Sequence, residues 1–244
     1  DLPKDLCVPL PARSAGPPCT TETVTEPSGL VVRRTRTPWG TLVATSRKGH
    51  PIKHPVETIE ELRILKNVWA GTRYEPAEGH EAACGRLLEA IGERGVYLPT
   101  LKPSPVQQLI ELDMGLAAFC GFLQEHRGEL DELIDLMHER RMQEYEIVAS
   151  RTPAVGIIPV ENTSTTLISP ALYRRYSLPQ IRDFVRVCRN HGKKAVLHMC
   201  GKLRGLLGPL KETGLDGING LTPPPIGDLP FDEAEVDHCG SCRA

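Results

Sequence analysis

The sequence predicts an α/β fold in which parallel strands alternate with helices. Four short apolar runs that are typical of buried strands follow one another after residue 95, at positions 95–100, 155–160, 195–200 and 215–219. Stretches with helical signals separate them. Because strand–helix–strand alternation of this kind gives a parallel sheet with right-handed crossovers, we expect the four strands to lie parallel in one sheet.

The first 50 residues predict an irregular arm followed by a hairpin. Residues 1–29 are rich in proline, serine, threonine and glycine without periodicity, a composition that is typical of loops. Segments 30–36 and 41–46 flank Pro38-Trp39-Gly40. Two short segments of strand character around such a turn predict a β-hairpin.

Helices are predicted from capping residues and apolar periodicity. Thr58 followed by Glu61 makes a capping box, and Ser104-Pro105 supplies an N-cap with a first-turn proline. Arg141 interrupts the apolar stripe of the longest helix, so we expect its charged head to reach water. The predicted helices span 58–69, 79–94, 104–114, 116–124, 128–149, 170–190 and 202–213.

Composition limits the class of protein and its partners. Of the 244 residues, 40% are hydrophobic and 25% are charged, as in ordinary soluble globular proteins. The net charge of −2 gives no basic excess, and no apolar run approaches the ~20 residues of a membrane span. We therefore expect neither nucleic acid nor a membrane as a partner. The eight scattered cysteines predict free thiols and a cytoplasmic location.

The third predicted strand carries a histidine and a cysteine near its carboxyl end. Side chains alternate faces along a strand, so Val196, His198 and Cys200 share one face, with His198 and Cys200 ~7 Å apart along the backbone. The carboxyl ends of parallel strands are where α/β proteins place their chemistry. A hydrogen-bonded core histidine beside a small buried thiol is the alternative interpretation.

The sequence around this pair resembles a known family. Leu197-His198-Met199-Cys200-Gly201 is similar to the His-x-Cys motif of the zinc- and corrinoid-dependent methyltransferases, a branch of the uroporphyrinogen decarboxylase-like superfamily. Segments 39–74, 161–179 and 214–228 agree with the same family in order and spacing. The resemblance covers most of residues 30–230.

The resemblance implies a (β/α)8 barrel of the TIM type, which needs eight strands. Since only four are recognisable and residue 1 is Asp, we expect the barrel to be incomplete in this chain. In this interpretation, residues 1–29 are an irregular arm and 30–94 cover the barrel with a hairpin and helices. Residues 95–230 then contain the βα units, and 231–244 form a divergent or truncated tail.

The resemblance also implies a catalytic zinc with His198 and Cys200 as ligands and a later cysteine as the third. Cys239 is the candidate third ligand, although a Cys-x-x-Cys pair with Cys242 in a Gly/Ser-rich tail is often free thiol. Zinc would hold a substrate thiol as its thiolate, which attacks a methyl group on the cobalt of a corrinoid. A corrinoid protein and a small-molecule thiol or methyl donor are the expected partners.

Polar residues at neighbouring strand ends are the remaining candidates. Glu161 is the candidate catalytic carboxylate, and it could be a further zinc ligand or a substrate contact. The alternative is that Glu161 caps a helix or forms a salt bridge. Asn162, Asn219 and Thr222 are the candidate substrate-binding residues. Bracing of the loops is the alternative for Asn219 and Thr222.

Two other functions are compatible with the resemblance. Cofactor-independent decarboxylation of a porphyrinogen needs arginines that anchor several carboxylates, together with an acid near the pyrrole. The Arg-rich motif of the decarboxylase branch is not found, because Arg33, Arg34 and Arg36 belong to the predicted hairpin. The third hypothesis is a non-catalytic barrel that serves as a binding module.

Overall fold

The computed structural model describes residues 8–233, which divide into two units. We call one of them the hairpin unit, and it contains residues 12–76 and 105–144. The other is the parallel-sheet unit, which contains residues 8–11, 77–104 and 145–233.

Five strands come first in the described chain, and helices and further short strands follow them. The strands are β1 (Ala12–Ala15), β2 (Thr20–Thr25), β3 (Leu30–Thr37), β4 (Gly40–Arg47), β5 (His50–Lys53), β6 (Arg73–Pro76), β7 (Thr100–Leu101), β8 (Gly156–Pro159), β9 (Lys194–His198) and β10 (Gly217–Asn219). The α-helices are α1 (Ile59–Gly71), α2 (His80–Ile91), α3 (Pro105–Gln108), α4 (Gly115–Glu125), α5 (Arg127–Arg151), α6 (Pro170–Leu172), α7 (Leu178–Asn190) and α8 (Leu207–Lys211). π-Helical turns follow α3 at Leu109–Asp113 and join α6 to α7 at Tyr173–Ser177.

The predicted parallel sheet is confirmed. Its strands lie in the order β10-β9-β8-β7, and every neighbouring pair is parallel. The first strand differs from the prediction, because regular pairing is confined to Thr100–Leu101 instead of 95–100. Val96 is 71% exposed, and Pro99 has no N–H to donate to a sheet.

The α/β class is confirmed, whereas a closed barrel is not present among residues 8–233. The parallel sheet has four strands there, and β7 and β10 are its edges. The eightfold closure that the resemblance implies is therefore not observed in the described part of the chain.

Alternating burial along β9 orients the strand. Ala195 and Leu197 are buried and Met199 continues the pattern beyond the strand, whereas Val196 and His198 are half-buried. Burial of a side chain such as Leu197 stabilises the fold by about 1.5–3 kcal/mol. The predicted face assignment is confirmed for the strand itself, and His198 lies on the less buried face.

An ion pair at the amino-terminal side of the sheet fixes the start of β9. Asp216 accepts hydrogen bonds from Lys194 Nζ and from the Ala195 N–H, both at 2.9 Å. Partial burial opposes the negative charge on Asp216. The Lys194 and Ala195 hydrogen bonds outweigh it, so that the pKa of the Asp216 carboxyl is lowered.

The predicted hairpin is confirmed in the hairpin unit, and two strands flank it. β3 and β4 pair from Leu30↔Arg47 to Thr37↔Gly40, and the antiparallel sheet has the order β2-β3-β4-β5. β1 and β2 lie in the stretch 1–29 for which irregular structure was expected, and that expectation was wrong at these positions. The composition hid the β-branched run Thr20–Thr25, which pairs along its whole length with β3.

The capping box at α1 is confirmed. Thr58 Oγ1 accepts from the Glu61 N–H at 3.3 Å, and the Glu61 carboxylate accepts from the Thr58 N–H at 3.1 Å. Each contact satisfies a backbone donor that the first turn of a helix leaves without a partner.

The expectation for Arg141 was wrong. This residue of α5 is buried, and its guanidinium bonds to Glu144, to Gln108 and, at 2.9 Å, to the Tyr74 hydroxyl. It also lies 5.6 Å from the ring centroid of Trp69. A buried charge is tolerated where it is paired and hydrogen-bonded, as it is here. The same surroundings raise the pKa of Tyr74 to about 12, with burial as the largest cause.

The cysteines at positions 19, 84, 120, 188 and 200 are free, as predicted for the thiols within residues 8–233. Cys84 and Cys188 are buried, and burial raises the pKa of the Cys188 thiol to about 12. In the same part of the chain, every helix is too short or too polar to cross a membrane.

Arg141→Ala should lower the free energy of unfolding by about 3–5 kcal/mol, because Glu144 would remain buried without its cation. Denaturant unfolding followed by circular dichroism measures this loss. Arg127→Ala, at the exposed start of the same helix, is the control and should change stability by less than about 0.5 kcal/mol. Equal effects of the two changes would contradict a buried network.

Asp216→Asn should cost about 1 kcal/mol of stability at pH 7 and almost nothing in strong acid. The carboxyl has its pKa lowered from the usual 3.8, so its contribution is present above that pH and is lost as the pH falls through the folded value. Urea unfolding at pH 7 and at pH 2 measures the difference. Asp135→Asn, an exposed acid of α5, is the control; a wild-type-like pH profile for Asp216→Asn would refute the assignment.

Candidate functional site

Three neighbouring strands end in polar residues at the carboxyl edge of the parallel sheet. His198 is the last residue of β9, Asn219 is the last residue of β10, and Glu161-Asn162 follow β8. The end of β8 is tied to β9, because Val160 bridges to His198 and the Glu161 N–H donates to the His198 carbonyl oxygen at 2.9 Å. This edge is where parallel α/β sheets carry their binding sites.

His198 and Asn219 are direct cross-strand partners. Their backbones are paired in the β9–β10 register, and His198 Nδ1 lies 2.7 Å from Asn219 Oδ1. An amide oxygen only accepts, so this contact favours the neutral tautomer with its proton on Nδ1, in which Nε2 has the lone pair. A partner on one ring nitrogen that leaves the other free is the arrangement of a metal-binding histidine.

Gly220 makes room for the His198 ring. Its φ is +83°, a left-handed conformation that favours glycine, and a Cβ at this position would lie 2.6 Å from His198 Cε1. Any side chain at position 220 would therefore displace the ring. Gly220 was not among the predicted site residues, and its position directly after Asn219 is the signal for it in the sequence.

Cys200 follows the strand and does not belong to it, since β9 ends at His198. Its half-buried thiol donates to Asn162 Oδ1, with 3.5 Å between the sulfur and the oxygen. The backbone between the two candidate ligands is held to β10, because the Met199 N–H donates to the Asn219 carbonyl oxygen at 2.9 Å. The histidine and the thiol are thus held by different asparagines, Asn219 and Asn162.

Thr222 braces the loop after the Cys200 position. Its hydroxyl oxygen accepts from the Gly201 N–H at 3.1 Å, where Gly201 has a φ of +86°. This contact agrees with the alternative role considered for Thr222, in which it braces a loop. The role of Thr222 in binding a substrate stays a prediction.

The Glu161 carboxylate is buried and accepts hydrogen bonds from Ser104 and Thr163. It accepts from the Ser104 N–H at 2.6 Å, and from the hydroxyls of Ser104 and Thr163 at 2.8 Å each. Ser104 was predicted as a helix N-cap, and its hydroxyl points to Glu161. Through these contacts Glu161 holds the start of α3 and the loop after β8 together. The catalytic role of Glu161 stays a prediction. Thr163 was not among the predicted site residues, although it lies two residues after Glu161.

Tyr173 lies in the surroundings of Glu161. The pKa of its buried hydroxyl is raised well above the usual value, mainly by burial and further by the charge of Glu161. The phenol therefore stays protonated at neutral pH.

The chemistry of the donor set fits zinc as far as the described residues go. His198 offers an imidazole nitrogen and Cys200 a thiol, the two types of ligand that zinc prefers. No cluster of three or more histidine, cysteine or acidic side chains suited to a metal occurs within residues 8–233. The predicted third ligand, Cys239, and its neighbour Cys242 lie outside the described residues.

Gly220→Ala should displace the His198 ring and cost about 1–2 kcal/mol for an alanine in the left-handed region. The imidazole nitrogen chemical shifts of His198 should change, because its contact with Asn219 is lost. Gly217→Ala is the control, since a Cβ at position 217 has nothing within 4 Å. Unchanged His198 shifts in Gly220→Ala would show that the ring does not lie against Gly220.

Comparisons with known proteins give a structural match and a family-model match. No curated protein matches the chain. Among solved structures, a methyltransferase from Methanosarcina mazei matches with a TM-score of 0.47 and 14% sequence identity, over 81% of this chain and 52% of that protein. The chain thus spans about half the length of that methyltransferase.

A family model matches the part of the chain that contains β8, β9 and β10. The matched residues, 108–221, include Glu161, His198, Cys200 and Asn219. This match, to the family described as uroporphyrinogen decarboxylase (URO-D), confirms the resemblance of the chain to the uroporphyrinogen decarboxylase-like superfamily over residues 108–221.

Proposed function

We propose that the chain is part of a zinc-dependent methyltransferase, which moves a methyl group from a corrinoid protein to a small-molecule thiol. The observation that carries the proposal is the 2.7 Å contact between His198 Nδ1 and Asn219 Oδ1, which leaves Nε2 open, with Cys200 two residues further along the chain. The pair lies in the segment that matches the URO-D family model. Its sequence resembles the His-x-Cys motif of the methyltransferase branch.

His198 Nε2 and Cys200 Sγ would hold the zinc, with a third ligand at Cys239. When bound, zinc lowers the pKa of a coordinated substrate thiol, so that the thiolate forms near neutral pH. Asn219 holds His198 in the tautomer that coordinates through Nε2. The Cys200 proton, which now faces Asn162, would leave on metal binding, because a coordinating cysteine is a thiolate.

The strand-end groups favour methyl transfer over porphyrinogen decarboxylation. They are an imidazole, a thiol, amides and a hydroxyl, whereas a porphyrinogen needs arginines for its carboxylates. Arg204, the first arginine after Cys200, pairs with Glu233 and donates to the Asp228 carbonyl oxygen at 3.1 Å. The buried acid, Glu161, is already occupied by Ser104 and Thr163.

Zinc binding by variants of the full-length protein tests the proposal. Cys200→Ser and His198→Ala should each lower zinc affinity strongly while the circular dichroism spectrum is unchanged. Asn219→Ala should weaken binding roughly 10–100-fold, as loss of an orienting partner does. Cys120→Ser, an exposed thiol of α4, is the control and should retain the zinc. Unchanged zinc content in Cys200→Ser would rule the site out.

Activity separates the candidate reactions. With a methylated corrinoid protein and a thiol acceptor, wild type should form the methyl thioether. The losses in His198→Ala and Cys200→Ser should not add in the double variant, because both changes disable one site. Turnover of a porphyrinogen by zinc-free protein would instead support the decarboxylase. If zinc binds and neither reaction occurs, methyl transfer between these partners is refuted while the metal site stands.

A further inference from the structure

A cleft of about 350 Å³ lies within the hairpin unit, between the antiparallel sheet and the turn after α3. This volume is within the range of small-molecule sites in proteins. Its walls are largely apolar and come from Val31, Ala44, Pro51, Pro55 and Leu112, with Arg33 among them. The site proposed above uses none of these residues.

The strand register places Arg33 on the cleft side of the sheet. Arg33 pairs with Thr23 on β2 and Ala44 on β4, and all three line the cleft. Its neighbour Arg34 lies on the opposite face, because side chains alternate along a strand. The chain thus offers two exposed arginines, adjacent in sequence, of which one borders the cleft.

A second compartment of about 200 Å³ adjoins the first, and Arg33, Ala44 and Pro55 line both. Hydrocarbon side chains of the sheet and of α1 contribute to it, namely Leu42, Leu65 and Val68. Arg33 therefore lies at the boundary between the first cleft and the second, more apolar compartment.

Arg33 is the cation that this cleft leaves available. Its guanidinium has no hydrogen bond or ion pair with any residue between 8 and 233. Lys53 also lines the cleft, but its Nζ is held by Glu61 at 2.8 Å and by the carbonyl oxygens of Val43 and His54. A guanidinium presents donors in a fork that matches a carboxylate.

We propose that this cleft binds a small organic carboxylate, with the anionic group on Arg33 and the apolar body in the adjoining compartment. Charge and apolar surface together define the class of ligand. A neutral molecule would make no charge-assisted contact with the guanidinium, and a ligand without an apolar body would gain nothing from the Leu42, Leu65 and Val68 side chains of the second compartment.

The acids at the edge of the cleft limit the charge of the ligand. Glu111 accepts from Gln107 at 3.1 Å, and Asp113, in the second compartment, accepts from Gln108 at 3.0 Å. Neither acid forms an ion pair with Arg33 among the described residues. Their charges oppose a dianion, so a single carboxylate fits best, and neutralising Glu111 should strengthen its binding.

Hexanoate is a suitable probe, with hexan-1-ol and hexylamine as matched ligands that lack the negative charge. In NMR titrations of the full-length protein, hexanoate should shift the resonances of β3 and β4 at the cleft. Arg33→Gln should weaken its binding roughly tenfold or more, the loss expected for a charge-assisted contact. Arg34→Gln, the adjacent arginine on the other face, should bind hexanoate as wild type does, and Glu111→Gln should bind it more tightly.

Three results would overturn the proposal. They are the absence of saturable hexanoate binding in wild type, equal losses in Arg33→Gln and Arg34→Gln, and equally tight binding of hexan-1-ol. Circular dichroism of each variant confirms that the fold is retained. Because zinc plays no part in this experiment, its outcome is independent of the methyltransferase proposal.

Discussion

The parallel pairing of β9 with β10 is the constraint on which the candidate site depends. Since side chains alternate with period two, a slip of one residue would turn His198 into the core and remove Asn219 from its ring. The Asp216 contacts hold one end of this pairing, at Lys194 and Ala195, and the Met199–Asn219 backbone bond holds the other. Between them, buried Ala195 and Leu197 make the alternative register unfavourable.

Sequence patterns predicted the elements whose signals are local. Thr58 with Glu61 identified the start of α1, and the alternation along 195–199 identified which face of β9 is buried. The order and spacing of strand ends also brought His198, Cys200, Asn162 and Asn219 together as candidates, and the structure places them in two contacting pairs.

The features that were missed depend on partners distant in the chain. Arg141 is buried because Tyr74 and Gln108, 67 and 33 residues away, supply its acceptors. The Ser104 hydroxyl and N–H donate to Glu161 because a buried carboxylate needs hydrogen-bond donors. The strand Thr20–Thr25 forms because β3 offers an edge to pair with. No local pattern of residues contains this information.

The contact between the Gly220 backbone and the His198 ring also constrains evolution. With 2.6 Å between a hypothetical Cβ and Cε1, a side chain at position 220 would push the imidazole away from Asn219, so a lineage that depends on this contact should keep the glycine. The two positions should therefore covary: relatives that keep the histidine should keep the glycine, whereas in those that replace it only the left-handed backbone still favours glycine at position 220. The glycine thus becomes a marker, readable in sequences alone, of relatives that retain the histidine at position 198.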